Sequence, residues 1–283
     1  MSSSIAAQGT RRKSGTKRPR RARALRFWPG APARRRFWRA FARAPTAMKL
    51  IVGVVTALVL WVGANGIYQV VRKPSELFFP VSGALNKTPT ETWSEYAPIF
   101  NKYATRVMTA DLLAALAQVE ASGNPVARTY WRWSWKPHPF EMYRPASSAV
   151  GMYQITDGTF AEARHYCIRD HVVAGDGRSG GRVCWFNEFY TRVVPADAVE
   201  LTSAYLDRGV ADILERHGVR SASLRRKQDL AAMIHLCGAG AADQYVRRGF
   251  RLGEGQHCGD HEVRSYIARV NSMKAVFDRL RAL

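Results

Sequence analysis

The sequence predicts a mainly helical domain carried behind one N-terminal membrane-spanning helix. Three observations predict it. Residues 50–71 form a run of twenty-two without a charged side chain, long enough to cross a bilayer. Beyond residue 92 apolar side chains recur at spacings of three and four, the helical period, and the period-two alternation of half-buried strands is almost absent. With 47% hydrophobic residues in 283, disorder throughout is excluded, and four cysteines are too few to make a disulfide-scaffolded mini-protein.

Charge divides the chain before any motif does. Residues 1–49 hold 15 of the 43 Lys and Arg and no Asp or Glu, so most of the net charge of +21 belongs to this tail. Such a tail suits nucleic acid or a membrane face. The apolar run that follows at once, bounded by Lys49 and Arg72, decides for the membrane, and nucleic acid is not an expected partner. The positive-inside rule then places residues 1–49 in the cytosol and the rest outside. A cleaved export signal is the alternative, but the forty-nine preceding residues and the length of the apolar run favour an uncleaved anchor. Phe27, Trp28, Phe37, Trp38 and Phe41, set among the bases, form a segment suited to lie on the inner leaflet.

Residues 72–91, rich in Pro, Ser, Thr and Gly, read as a linker, and 92–283 as one folded domain. Trp93, Tyr96, Ile99, Phe100 and Tyr103 mark a first helix. Thr109 is placed to cap a second, with Asp111 in its first turn and Leu112, Leu113, Leu116 and Val119 as its buried stripe, ending at Gly123-Asn124-Pro125. Further helices are expected at about 157–166, 188–193, 196–217, 223–236, 241–248 and 262–283.

Chemistry is most visible at Glu120. A carboxylate in the last turn of an apolar helix meets the negative end of the helix dipole and partial burial, and both favour the protonated form. Such a group suits general acid catalysis, although a glutamate near a helix end is more often solvated surface.

The surrounding motifs raise its standing. The helix running from Asp111 to Glu120-Ala121-Ser122-Gly123-Asn124-Pro125, then Gly151-Met152-Tyr153-Gln154-Ile155, then Leu236-Cys237-Gly238-Ala239-Gly240, and Glu262 to Val270 with Tyr266-Ile267 at its centre follow one another in order. Together they resemble the soluble lytic transglycosylase (SLT) domain family, which is related to goose-type lysozyme. The resemblance implies a lysozyme-like fold, Glu120 as the catalytic acid, and a cleft shaped by Ser122, Gly151, Met152, Tyr153, Gln154, Ala239 and Gly240, with Tyr266 bonding or positioning Glu120. It implies peptidoglycan glycan strands as substrate, no cofactor, and a domain on the outer face of a bacterial inner membrane, with an envelope-spanning machine as a partner. In the family's scheme one carboxyl protonates the oxygen between N-acetylmuramic acid and N-acetylglucosamine, the substrate's acetamide stabilises the cationic centre, and the same residue deprotonates the C6 hydroxyl to close a 1,6-anhydro ring. Two departures stand out: Ala121 replaces the usual Ser, and Cys237-Gly238 replace residues that normally line the cleft. A hydrolysing muramidase and a non-catalytic peptidoglycan-binding scaffold therefore stay open as alternatives. His235, just before the degenerate motif, is either a polar group of the site or a buried structural histidine.

Three further features need placing. Tyr130, Trp131, Trp133, Trp135, Phe140 and Tyr143 put six aromatics into fourteen residues. They read either as a glycan platform, with Trp131 and Trp133 foremost, or as a loop packing its own core or touching the membrane interface. Glu141, Asp157 and Glu162 are the candidates for a second carboxylate, should the reaction use two. Finally, Cys167, Cys184, Cys237 and Cys258 all follow the apolar run, where oxidation is expected. Their spacing suggests bridges 167–184 and 237–258, although three pairings are possible. Zinc, with His165, His171, His257 and His261 nearby, is the weaker reading because no C-x-x-C pair is present, and no metal is expected.

Overall fold

The computed structural model describes residues 31–78, 82–135, 138–175 and 183–282. The expected inner-leaflet residues Phe27 and Trp28 lie outside them. The chain divides into two units, residues 1–60 and 61–283. The first holds the helix α1 (Ala31–Ala42) and the beginning of α2 (Thr46–Arg72). α2 is the one helix among the described residues long and apolar enough to cross a membrane, and most of its apolar side chains are exposed.

The second unit is a helical domain built around α4 (Ala110–Ala121). Leu112, Leu113, Leu116 and the alanines between them make α4 apolar all round, and a helix of that kind is stable only when enclosed. α8 (Val263–Arg281) and α3 (Pro89–Lys102) are the main neighbours of α4, α8 the more extensive, and α6 (Pro195–Arg216) and α7 (Leu224–Arg247) add side chains to the same core. Each leucine of α4 so buried contributes about 2 kcal/mol. Tyr96, Phe100 and Tyr103 of the first predicted helix point into this core, as do Val263, Tyr266, Ile267, Val270 and Phe277 of the last. A capping box starts α3: Thr88 accepts from the Glu91 amide while Glu91 accepts from that of Thr88. Thr109 does occupy the N-cap of α4, but its hydroxyl caps nothing and accepts instead from Gln228 Nε2 at 3.0 Å.

α7 carries a break at Gly238 (φ 78°, ψ 172°), the point where the sequence separates 223–236 from 241–248. Only glycine adopts this backbone at little cost. Two expectations fail. The stretch 157–166 is helical only as α5 (Asp157–Ala163), and a hairpin follows: β1 to β6, in chain order, are Trp131–Trp133, Tyr143–Pro145, Tyr166–Arg169, Val172–Gly175, His257–Cys258 and His261–Glu262, paired antiparallel in three consecutive couples. Asp170 and His171 both have positive φ, the geometry of a two-residue hairpin turn, and Tyr, Ile and Val on either side favour strands. The expected helix at 188–193 is instead a short 3₁₀ turn, Trp185–Phe189. Disulfides join Cys167 to Cys184 and Cys237 to Cys258, with Cα separations of 5.6 and 5.4 Å.

The expected linker is in fact part of the domain. Glu76, 4% exposed, meets Lys73 at 3.4 Å and Arg128 at 3.1 Å and accepts from the Trp131 indole at 2.9 Å. Asn124 donates to Asn86 Oδ1 and to the carbonyl of Ser82. Pro, Ser and Gly here make short 3₁₀ turns against the domain surface, not a free stalk.

Candidate functional site

Glu120 ends α4 where the chain must turn sharply. Ser122 (φ 50°) and Gly123 (φ 64°) both take left-handed backbone, and a Cβ on Gly123 would lie 2.3 Å from the Thr92 hydroxyl, so the turn closes against α3. This turn leaves the Glu120 side chain, 17% exposed, directed at groups from two other elements. The Tyr266 hydroxyl of α8 donates to Glu120 Oε1 at 2.5 Å, and His235 Nε2 of α7 stands 3.4 Å from the same oxygen.

This company reverses the expected proton preference of the carboxyl. Burial alone pushes Glu120 up, and it is the largest single influence. The hydrogen bond and charge of His235, the Tyr266 donor and the charge of His261 together outweigh it and hold Glu120 below the usual carboxylate range. Both donors come from segments more than a hundred residues further along the chain, so the helix end alone does not reveal them. Tyr266 moves the other way: burial, then the neighbouring Glu120 carboxylate, push its hydroxyl well up, so it remains a donor.

The segment 151–155 forms the floor. Val150 and Ile155 exchange backbone hydrogen bonds around a tight turn with Gly151 (φ 79°) and Gln154 (φ 47°) left-handed. Gln154 points outward, and its amide bonds the Gly151 and Ala127 carbonyls. Met152 and Tyr153 point inward and are fully buried, with the Tyr153 hydroxyl donating to the Leu113 carbonyl at 3.1 Å. Their side chains hold the floor to α4 and do not line a cleft.

Two cavities meet at Gln154. One, of about 460 Å³, is lined by Glu120, Ser122, Arg128, Tyr130 and Gln154. The other, of about 210 Å³, is lined by Gln154, Thr156, Thr202, Tyr205, His235 and Gly238. Glu120 and His235, one from each lining, thus stand together at the junction. Glu120 is the only carboxylate in either lining among the described residues. Glu141 pairs with Arg72 at 2.9 Å, Asp157 with Arg192 at 2.8 Å, and Glu162 lines a separate cavity of about 120 Å³ together with Ala239. Ala239 and Gly240 therefore lie beyond the site, and Gly238 takes the place expected of them.

Trp131 and Trp133 are also placed elsewhere. Trp131 donates to Glu76 and packs on Tyr143, and Trp133 stacks between Tyr143 and Trp61. Of the aromatic-rich segment only Tyr130 reaches the Glu120 cavity. Arg128 carries no signal in the sequence beyond its position directly after the Asn124-Pro125 turn, whereas Tyr130 belongs to the aromatic segment that the sequence offers as a glycan platform. Among the described residues no three His, Cys, Asp or Glu gather as a metal-binding group, and the four thiols are taken up by disulfides. No protein-family model matches this chain, and neither does a curated protein or a solved structure.

Proposed function

We infer that the chain is a membrane-anchored lytic transglycosylase that cleaves the bond between N-acetylmuramic acid and N-acetylglucosamine in peptidoglycan. The observation that carries this reading is a part-buried carboxylate, Glu120, the only one among the described residues lining two cavities that meet beside it, with room for sugar residues on either side of a scissile bond. A reaction with one carboxylate needs that residue to give a proton and then take one back. A carboxyl held below the usual range is the stronger acid when it carries its proton, and Glu120 passes that proton to the bridging oxygen as the glycosidic bond breaks, leaving the carboxylate beside His235 and Tyr266. The carboxylate then accepts the C6 hydroxyl proton while that oxygen closes the 1,6-anhydro ring, and the carboxyl is restored. Tyr266 fixes the carboxyl's orientation throughout. The basic stretch on the N-terminal side of α2 supports a cytosolic N-terminus and an outer-face domain, where peptidoglycan is the available polymer and a wall-crossing machine the natural client.

Mass spectrometry of muropeptides after incubation with the protein tests the reading. The expected products carry 1,6-anhydro ends. Reducing ends would make the protein a muramidase, and absence of cleavage would make it a binding scaffold.

A further inference from the structure

The aromatic segment, displaced from the cleft, needs another use, and the length of α2 points to it. A bilayer's hydrocarbon takes about twenty helical residues. Counted from residue 50, the first after Lys49, twenty uncharged residues end at Gln69. Yet the stretch 61–72 is the part of α2 that the β1–β2 hairpin covers. Asn65 donates to the Tyr143 carbonyl at 2.8 Å and Gln69 to that of Phe140 at 2.6 Å, and both residues are almost wholly buried. Trp61 stacks on Trp133 with an interplanar angle of 10°, and Tyr68 packs on Phe140. If residues 50–69 cross the bilayer, the hairpin is inside its outer leaflet.

We propose that the β1–β2 hairpin is a lipid-docking element, with Trp133 and Trp135 seated among the phospholipids of the outer leaflet beside α2. This rests on the anchor reading of α2 and is independent of the glycosidase chemistry. Two side-chain amides in hydrocarbon are costly unless bonded within the protein, and the hairpin carbonyls take up an NH of each, leaving Asn65 Oδ1 buried without a partner among the described residues. Beside α2 the hairpin leaves Trp133 and Trp135 65% and 99% exposed, ill placed in water and well placed at a headgroup boundary. Arg132, exposed next to Trp133, is long enough to reach phosphate. Between α2 and the hairpin lies a cavity of about 550 Å³ whose lining is mainly apolar (Val62, Gly66, Val70, Trp131 and Tyr143) but includes Asn65 and the paired Glu76 and Arg128, and the apolar share suits an acyl chain better than a sugar. Because Tyr130 continues from β1 into the Glu120 cavity, docking holds that cavity at a fixed, short height above the membrane.

The test uses the full chain in vesicles of phosphatidylethanolamine and phosphatidylglycerol. An environment-sensitive fluorophore is attached at Trp135→Cys, the only free thiol once the native four are bridged, with Arg132→Cys as a second site should the first fail to reconstitute. A probe at Leu58→Cys reports on the anchor itself. The expected result is blue-shifted emission at 135, quenched by nitroxide-labelled lipid and shielded from aqueous iodide. Iodide quenching at 135 with lipid quenching at 58 overturns the hairpin proposal and leaves the anchor standing. A response at 135 to added peptidoglycan fragments, with lipid nitroxides silent, overturns it in favour of a glycan platform. Absence of lipid quenching at 58 removes the anchor and the proposal with it.

Discussion

Around Glu120 polar side chains converge on a hollow, whereas between α2 and the β1–β2 hairpin they are used up on one another. Tyr266, His235 and Gln154 come from three separate elements and leave cavity space beside the carboxylate. The amide NH groups of Asn65 and Gln69, Glu76 and the Trp131 indole find partners within the packing, and what faces outward is ring surface. Both regions are rich in aromatics and charge, so composition does not separate a chemical site from a docking surface. The destination of each donor does.

The largest effect that would sharpen this contrast is Glu120→Gln. Gln cannot donate the proton, so turnover should fall by about a hundredfold or more, read as loss of anhydro-muropeptides, while Trp131→Ala should leave cleavage of short soluble glycans almost unchanged. Equal losses would dissolve the distinction. Next comes Glu76→Ala, which leaves Lys73 and Arg128 facing each other without their shared anion. A destabilisation of about 3 kcal/mol is expected in urea unfolding, with Trp131 fluorescence changing first.

His235→Gln should lower turnover about tenfold and move the limb of the pH–rate profile that reports Glu120 to higher pH, because the variant removes the hydrogen bond and charge that help hold this carboxyl below the usual range. An unchanged profile would return His235 to a structural role. A smaller effect concerns acid stability. The folded Glu120 carboxyl lies below its ordinary value, so its contribution is complete above about pH 4.3, the unfolded value, and is lost as pH falls through the lower folded one. Glu120→Gln should therefore cost about 1 kcal/mol at neutral pH and flatten the acid side of the stability curve. Smallest of all is Glu141→Gln. Its pairing with the half-exposed Arg72 is worth less than about 1 kcal/mol, and turnover should stay within about twofold.

What was legible in the sequence followed from local pattern. α4 and α8 announce themselves by leucine, valine and tyrosine at helical spacing, Gly238 marks the break in α7, and Glu120 and Tyr266, 146 residues apart, are found through their motifs and meet in the structure. What was illegible depended on partners far along the chain. The β3–β4 strands have four residues each, too few to display alternation. Residues 72–91 look like a tether until Glu76 is seen held by Arg128 and Trp131, 52 and 55 positions away. The charge preference of Glu120, read from its own helix, came out inverted because its two donors lie on α7 and α8.

Gly151 shows how little freedom the floor of the site allows to a mutating lineage. Its φ of 79° disfavours every L side chain, and a Cβ there would lie 2.1 Å from the backbone carbonyl of Arg192, an atom that cannot swing aside. The guanidinium of that same Arg192 reaches over to hold the carbonyls of Ser148 and Ile155. A saturation library at this position should return glycine alone among folded clones, and any drift at 192 that shifts its main chain would be felt first at 151. The stretch from 148 to 155 can thus be inherited only as a unit, with its clamp, so that variety among descendants has to accumulate in the walls of the cleft and not in its floor.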